Sequence, residues 1–259
     1  MSRFRLGAFA AFAIPYLLCL AFAPAGALNT LPMSQPFLAP SFAHPLGTDD
    51  LGRDMLAALA QGGRTSLAVA TLTAALALGL GTAIGLAAGM GPSALDQALM
   101  RLADIVLSLP ALLFAILVVA LFGGSVANLA LVLGLTRWPV IARLVRAETL
   151  ALRESDFVRA AVALGTSPGA VAWRHVLPHV RTAALSATGI VFGGAVLAES
   201  ALAFVGLGDP GVTSWGQLIA SGYSFVTHAW WMWAFPAAAL SAASASVALI
   251  ADRATFKRF

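Results

Sequence analysis

Apolar residues gather into six long runs along the chain, at about 6–28, 66–90, 102–122, 126–147, 183–207 and 231–250, and polar residues collect mainly between them. About 20 apolar helical residues cross the hydrocarbon core of a bilayer. The pattern therefore predicts an all-α, polytopic membrane protein with about six transmembrane helices, a single membrane domain over residues 1–259. The third and fourth runs are the least cleanly separated, with only Gly123-Gly124-Ser125 between them. The first run follows Arg3 and Arg5 and ends near Ala25-Gly26-Ala27, a pattern shared with cleaved secretory signals. Its length favours a retained helix.

Composition agrees with the pattern. Hydrophobic residues make up 60% of the chain and charged residues 10%, with a mean hydropathy of +0.89; a soluble domain carries about a quarter charged residues. The net charge of +4 raises the question of nucleic acid, but the basic residues sit at the ends of runs, without a stripe of stacking aromatics. They orient the chain instead. With the N-terminus inside, 13 Lys and Arg residues fall on the cytoplasmic side, Arg137 among them, and only Arg53 and Arg64 fall outside. Both termini are then cytoplasmic. Trp215, Trp230, Trp231 and Trp233 are expected at the outer interface, and Trp138 at the inner one.

A lone cysteine, Cys19, excludes an intrachain disulfide and a Cys/His zinc site. The single lysine, Lys257, leaves no GxxxxGK[ST] phosphate loop, so if ATP drives this protein another subunit binds it. No covalent chemistry and no cofactor are expected in this chain. His175 and His179 stand four apart, but Pro178 between them spoils the geometry of a metal pair, and no metal site is assigned.

Gly81, Gly85 and Gly89 recur on one face of the second span, and Gly189 and Gly193 repeat the spacing in the fifth. Such stripes let helix backbones approach closely. Packing within the subunit and packing around a pathway are both compatible with them.

The cytoplasmic stretch 148–182 reads as structured. Ser155 is a helix start signal, Phe157, Ala160, Ala161 and Leu164 form one apolar stripe, and Gly165 is a stop. Ser167 and Pro168 start a second helix, expected to run to about Leu177 and to end or kink at Pro178. This elbow is either an amphipathic helix resting on lipid headgroups or a knob that enters a groove on a soluble partner.

The outer segment 29–65 is predicted to hold a short helix capped by Thr48, with Leu51, Met55 and Leu59 on one face and Asp49, Asp50 and Asp54 on its polar side. Glu199, late in the fifth span, is either a pathway or outer-gate group or a hydrogen-bonded helix-end carboxylate.

The elbow resembles the EAA loop of ABC importer membrane subunits: Ala160-Ala161, three residues, Gly165, and Leu177-Pro178 at the matching distance, with Arg159 where the family has an acidic residue. "HPLGTDDLGRDMLAALAQGGRTSL" (44–67) and "ESALAFVGLGDPGVTSWGQLI" (199–219) are similar to segments of the dipeptide/oligopeptide/nickel permeases of the DppC/OppC type. The resemblance spans residues 44–219 in matching order. It implies a type I importer (MetI-like) permease fold in a bacterial inner membrane, with a second permease, two cytosolic ATPase subunits that carry ATP and magnesium, and an extracytoplasmic solute-binding protein as partners.

It also implies an ATPase-coupling role for Phe157, Arg159, Ala160, Ala161, Leu164, Gly165 and Pro168, and a binding-protein contact near Asp49, Asp50, Arg53 and Asp54. Di- or oligopeptides are the expected solute. Nickel or a metal chelate is the alternative within the family, and an ion-coupled secondary carrier the alternative outside it.

Overall fold

The computed structural model describes residues 34–255, with side chains through residue 246. The expected first span, 6–28, and Cys19 lie outside the described residues, as does Lys257. Helices are α1 (Met55–Met90), α2 (Ser93–Ser108), α3 (Ala111–Phe122), α4 (Val126–Arg153), α5 (Asp156–Ala163), α6 (Pro168–Val171), α7 (Leu177–Phe204), α8 (Trp215–Tyr223) and α9 (Trp231–Thr255), with a π-helical turn, Ala172–Val176, joining α6 to α7. Among the described residues, three helical rods are long and apolar enough to cross a membrane: α1, α4 and the continuous rod Pro168–Phe204; a bent α2–α3 pair makes a fourth.

The glycine stripe of α1 meets α4. A Cβ on Gly81 would stand 2.6 Å from Ile141 Cβ, one on Gly85 2.6 Å from Ala142 O, and one on Gly89 2.6 Å from Thr149 Cβ. Both helices advance together through these contacts, so α1 and α4 run parallel. The missing side chains let the backbones close and gain dispersion contacts. In α7 the device is not repeated at Gly193, where a Cβ would find only Ser244 O, at 3.7 Å, and Gly189 is part-exposed.

Several expectations are corrected. The third span is not one helix: α2 and α3 meet at 78°. Pro110 caps α3 without an N–H, and it holds Leu109 in extended backbone, as the residue before a proline prefers. Hydropathy alone passed over that proline. The charged half, α2, is tied to α4 by ion pairs of Asp96 with Arg146 and of Asp104 with Arg143.

The short helix capped by Thr48 does not form. Thr48 is buried in an isolated antiparallel bridge to Asp54, its Oγ1 donating to Gln35 O (2.7 Å) and accepting from Leu38 N (2.8 Å). Asp54 caps α1 instead, accepting from Leu56 N and Ala57 N, so the second span starts eleven residues earlier than its apolar run. Trp215, Trp231 and Trp138 are buried in the protein rather than standing in an interfacial belt; of the outer group, Trp230 is exposed. Arg137 and Trp138 fall within α4, which runs on to Arg153, so neither marks its cytoplasmic end.

Candidate functional site

The elbow is built by local signals. Residues Val162 to Thr166 close α5 with paired bonds, Thr166 N to Ala161 O (3.1 Å) and Gly165 N to Val162 O (2.9 Å), the Schellman arrangement. Gly165 takes a positive φ with open space where a side chain would be, so backbone conformation alone demands glycine here. Ser167 Oγ then accepts from Ala170 N (3.4 Å), and Pro168 takes the first position of α6, where its missing N–H costs nothing. At the other end Ser155 does not cap α5 with its side chain. Its Oγ donates to Leu152 O (2.5 Å), bonding backward into α4.

Pro178 does not end the second helix of the elbow. The π turn carries the chain past the missing N–H, with Leu177 N donating to Ala172 O, and α6 and α7 are continuous over 37 residues. His179 Nδ1 donates to His175 O (2.7 Å), and its ring stacks on Phe157 at 5.1 Å. The two histidines are therefore not arranged as a ligand pair. Among the described residues no group of three or more His, Cys, Asp or Glu could hold a metal ion.

The predicted stripe divides. Ala161 turns inward with Val158 and packs on Val145, Val171, Val176 and Val180. Phe157, Ala160 and Leu164 stay exposed, Leu164 at 87%, and Val162 and Trp173 join them. The result is an apolar crest held on a rigid base. Beside it opens a groove of about 690 Å³ lined by Met90, Arg153, Glu154, Arg159, Val162 and Pro168 among others. No carboxylate forms an ion pair with Arg159 or Arg153 among the described residues. Val162 and Trp173 were missed from the sequence because each lies off the helical spacing of the stripe.

Outside the membrane, the four expected contact residues are mostly occupied. Asp49, 3% exposed, accepts from Leu51 N (2.9 Å) and Arg53 N (2.8 Å) and pairs with Arg53 Nε (2.6 Å). Asp54 caps α1 and lies 2.9 Å from His44 Nδ1. Asp49 therefore does not mark the solvated side of a helix, and Asp50, part-exposed, is the acidic residue of the three without such a contact. Trp231 Nε1 donates to Thr48 O (3.0 Å) and pins this segment to α9.

Glu199 is 1% exposed. Hydroxyls of Ser66 on α1, Ser214 before α8 and Ser200 converge on its carboxyl, the last at 3.3 Å. Trp215 N donates to Ser66 Oγ (3.2 Å), and Trp215 Nε1 to Leu59 O (2.9 Å), so the same node ties α8 to α1. In this chain the carboxyl is enclosed by α1, α7 and the start of α8.

Both the sequence and the fold are similar to those of known proteins. Residues 81–256 match the family model described as binding-protein-dependent transport system inner membrane component. The chain belongs to that family. Among its relatives, a putative peptide transport system permease protein of Brucella suis biovar 1 (strain 1330) is 36% identical over 228 residues, covering 88% of this chain and 77% of that protein. The dipeptide transport system permease protein DppC of Alkalihalophilus pseudofirmus is 36% identical over 198 residues, covering 76% of this chain and 65% of that protein.

A solved structure of the MetNI methionine ABC transporter in inward-facing conformations shares the fold, with a TM-score of 0.64 at 17% identity, covering 77% of this chain and 95% of that one. The protein is thus an inner-membrane permease subunit of an ABC importer with the MetI-like fold, a family whose members work with ATPase subunits and a binding protein.

Proposed function

We propose that this permease forms, with a second permease chain, the pathway of an importer for di- or oligopeptides, and that two cytosolic ATPase subunits drive it through the elbow. ATP and magnesium reside in those partners; this chain does no catalysis. An extracytoplasmic binding protein delivers the solute to the outer face, near Asp50 and the loop carrying Asp49, Arg53 and Asp54. The peptide assignment is supported by the relatives, two of which are named for peptide or dipeptide transport.

The observation that carries the coupling role is the continuity of the rod. The exposed crest of Phe157, Ala160, Val162 and Leu164 sits on a helix closed by Gly165, and the next helix from Pro168 is the same rod as the span ending at Phe204. A partner that grips the crest therefore acts on a transmembrane helix through one hydrogen-bonded turn, residues 164–167, backed by the burial of Val158 and Ala161 beside Val171 and Val176. Arg159 gives the groove beside the crest a cationic rim, and Ala161 supports it from beneath.

Gentle detergent purification of this chain from its own cells tests the assembly. Recovery of ATPase subunits and a second permease, with ATP hydrolysis stimulated by the loaded binding protein, is the expected result. Recovery of the chain alone, under conditions that keep a known importer intact, would overturn the reading.

A further inference from the structure

Arg137 belongs to neither end of its helix. It is the twelfth residue of α4, which starts at Val126. At the rise per residue of an α-helix it lies about 17 Å below the outer end. Gly194, on the antiparallel α7, lies ten residues before Phe204. The same rise puts it about 15 Å from that surface. Both depths fall near the middle of a hydrocarbon core about 30 Å thick. The two residues meet: a Cβ on Gly194 would stand 2.9 Å from Arg137 Nη1. The guanidinium thus rests on the α7 backbone where no side chain stands in its way.

A charge at mid-membrane is expensive and needs a counter-ion or a water-lined surface. This chain supplies no counter-ion among the described residues. Asp96 and Asp104 are taken by Arg146 and Arg143, Asp49 by Arg53, and Asp54 by His44. Glu199 sits among its serines, and Asp209 accepts from Val126 N at the outer end of α4. Glu148 and Glu154 stand further down α4, toward its cytoplasmic end. Arg137 is itself only half-buried, beside the part-exposed Gly194. Neutralisation has to come from outside the described residues.

We propose that Arg137, seated against Gly194 midway through the membrane, receives the carboxylate of the solute in transit. The planar fork of a guanidinium matches a carboxylate with two parallel hydrogen bonds. A peptide carries such a group at its C-terminus, so the proposal rests on the peptide-importer reading above and gives it a station inside the membrane. An anion entering a low-dielectric passage needs a cation along the way, and among the described residues this is the basic side chain placed at that depth.

The experiment uses the complete importer with its binding protein in proteoliposomes, and compares uptake of labelled dialanine with that of dialanine amide. Arg137→Gln is expected to lower dialanine uptake about tenfold, the scale of losing one charge-assisted contact. Amide uptake should change little, so the acid-to-amide ratio collapses, while Arg137→Lys keeps an intermediate ratio. The binding protein is identical in all preparations, so a change in this ratio reads the membrane step.

Unchanged dialanine uptake, or an equal fall for acid and amide, would overturn the proposal. So would loss of the second permease from the purified Arg137→Gln complex, which would make the arginine a counter-ion between subunits. If the unmodified importer moves no dialanine, the peptide reading fails by itself. Mass spectrometry of the ligand released from the natively purified binding protein then decides for Arg137: a ligand bearing a carboxylate supports the station, and one without an anionic group overturns it.

Discussion

The two faces of this permease are built in opposite ways. On the outer face polar groups are spent on long-range ties: Trp231 Nε1 to Thr48 O, Trp215 Nε1 to Leu59 O, Trp215 N to Ser66 Oγ, and Val126 N to Asp209. A capping box at Ser214 and Gln217 closes the start of α8, and Gln217 Nε2 reaches Asp209 O. On the cytoplasmic face the elbow's hydrogen bonds are local, within a few residues, and its long-range contacts are the buried side chains of Val158 and Ala161 and the stack of Phe157 on His179. The outer segments are fastened to one another by these polar ties, whereas the elbow holds its exposed apolar crest by local bonds and apolar packing. Stability and coupling should therefore separate by side under mutation.

Glu199→Ala should have the largest effect on the fold. It leaves the Ser66, Ser200 and Ser214 hydroxyls without their shared acceptor, and each buried unsatisfied group costs about 1–3 kcal/mol. Thermal unfolding of the purified chain should drop sharply, and an unchanged midpoint would remove the outer node from the comparison. Gly165→Val comes next, with its loss on the other side. Gly165 holds a positive φ, where a β-branched residue costs about 1–3 kcal/mol and distorts the turn. Uptake should fall well before assembly of the membrane subunits does. Full coupled uptake in this variant would count against the elbow.

Trp231→Phe removes the hydrogen bond to Thr48 O, worth about 1 kcal/mol, and should loosen the outer segment. Limited proteolysis near residues 34–54, compared with the unmodified protein, checks this. Leu164→Ala should be the mildest for the fold, because the side chain is exposed. Surface changes of this kind stay within about 0.5 kcal/mol. Yet it should weaken copurification of the ATPase subunits. A stability loss as large as that at Glu199 would erase the distinction between the faces.

What could be read beforehand follows the range of the interaction responsible. The elbow was legible because its signals are local: Gly165 must adopt a left-handed conformation, and Ser167-Pro168 fits a helix start whatever surrounds it. The glycines of α1 could be seen as a stripe, but not that α4 covers them in parallel register. A hydropathy run does not register the break before Pro110, which a single N–H-less residue makes. Pro178 reads as a helix end, yet the π turn before it keeps the rod continuous.

Hydrophobic run length, turn residues and spaced motifs are properties of the chain itself, and they determined a helical membrane protein with a structured cytoplasmic elbow. Which polar residues became internal ties was decided only in the tertiary structure. Asp49 reads as a solvated charge until Arg53 and two backbone N–H groups are seen to enclose it, and Arg137 reads as a cytoplasmic anchor until Gly194 is found beneath its guanidinium. The physical reason is the same in both cases: the free energy of a charge depends on what surrounds it in three dimensions, and a one-dimensional pattern records only what lies beside it along the chain.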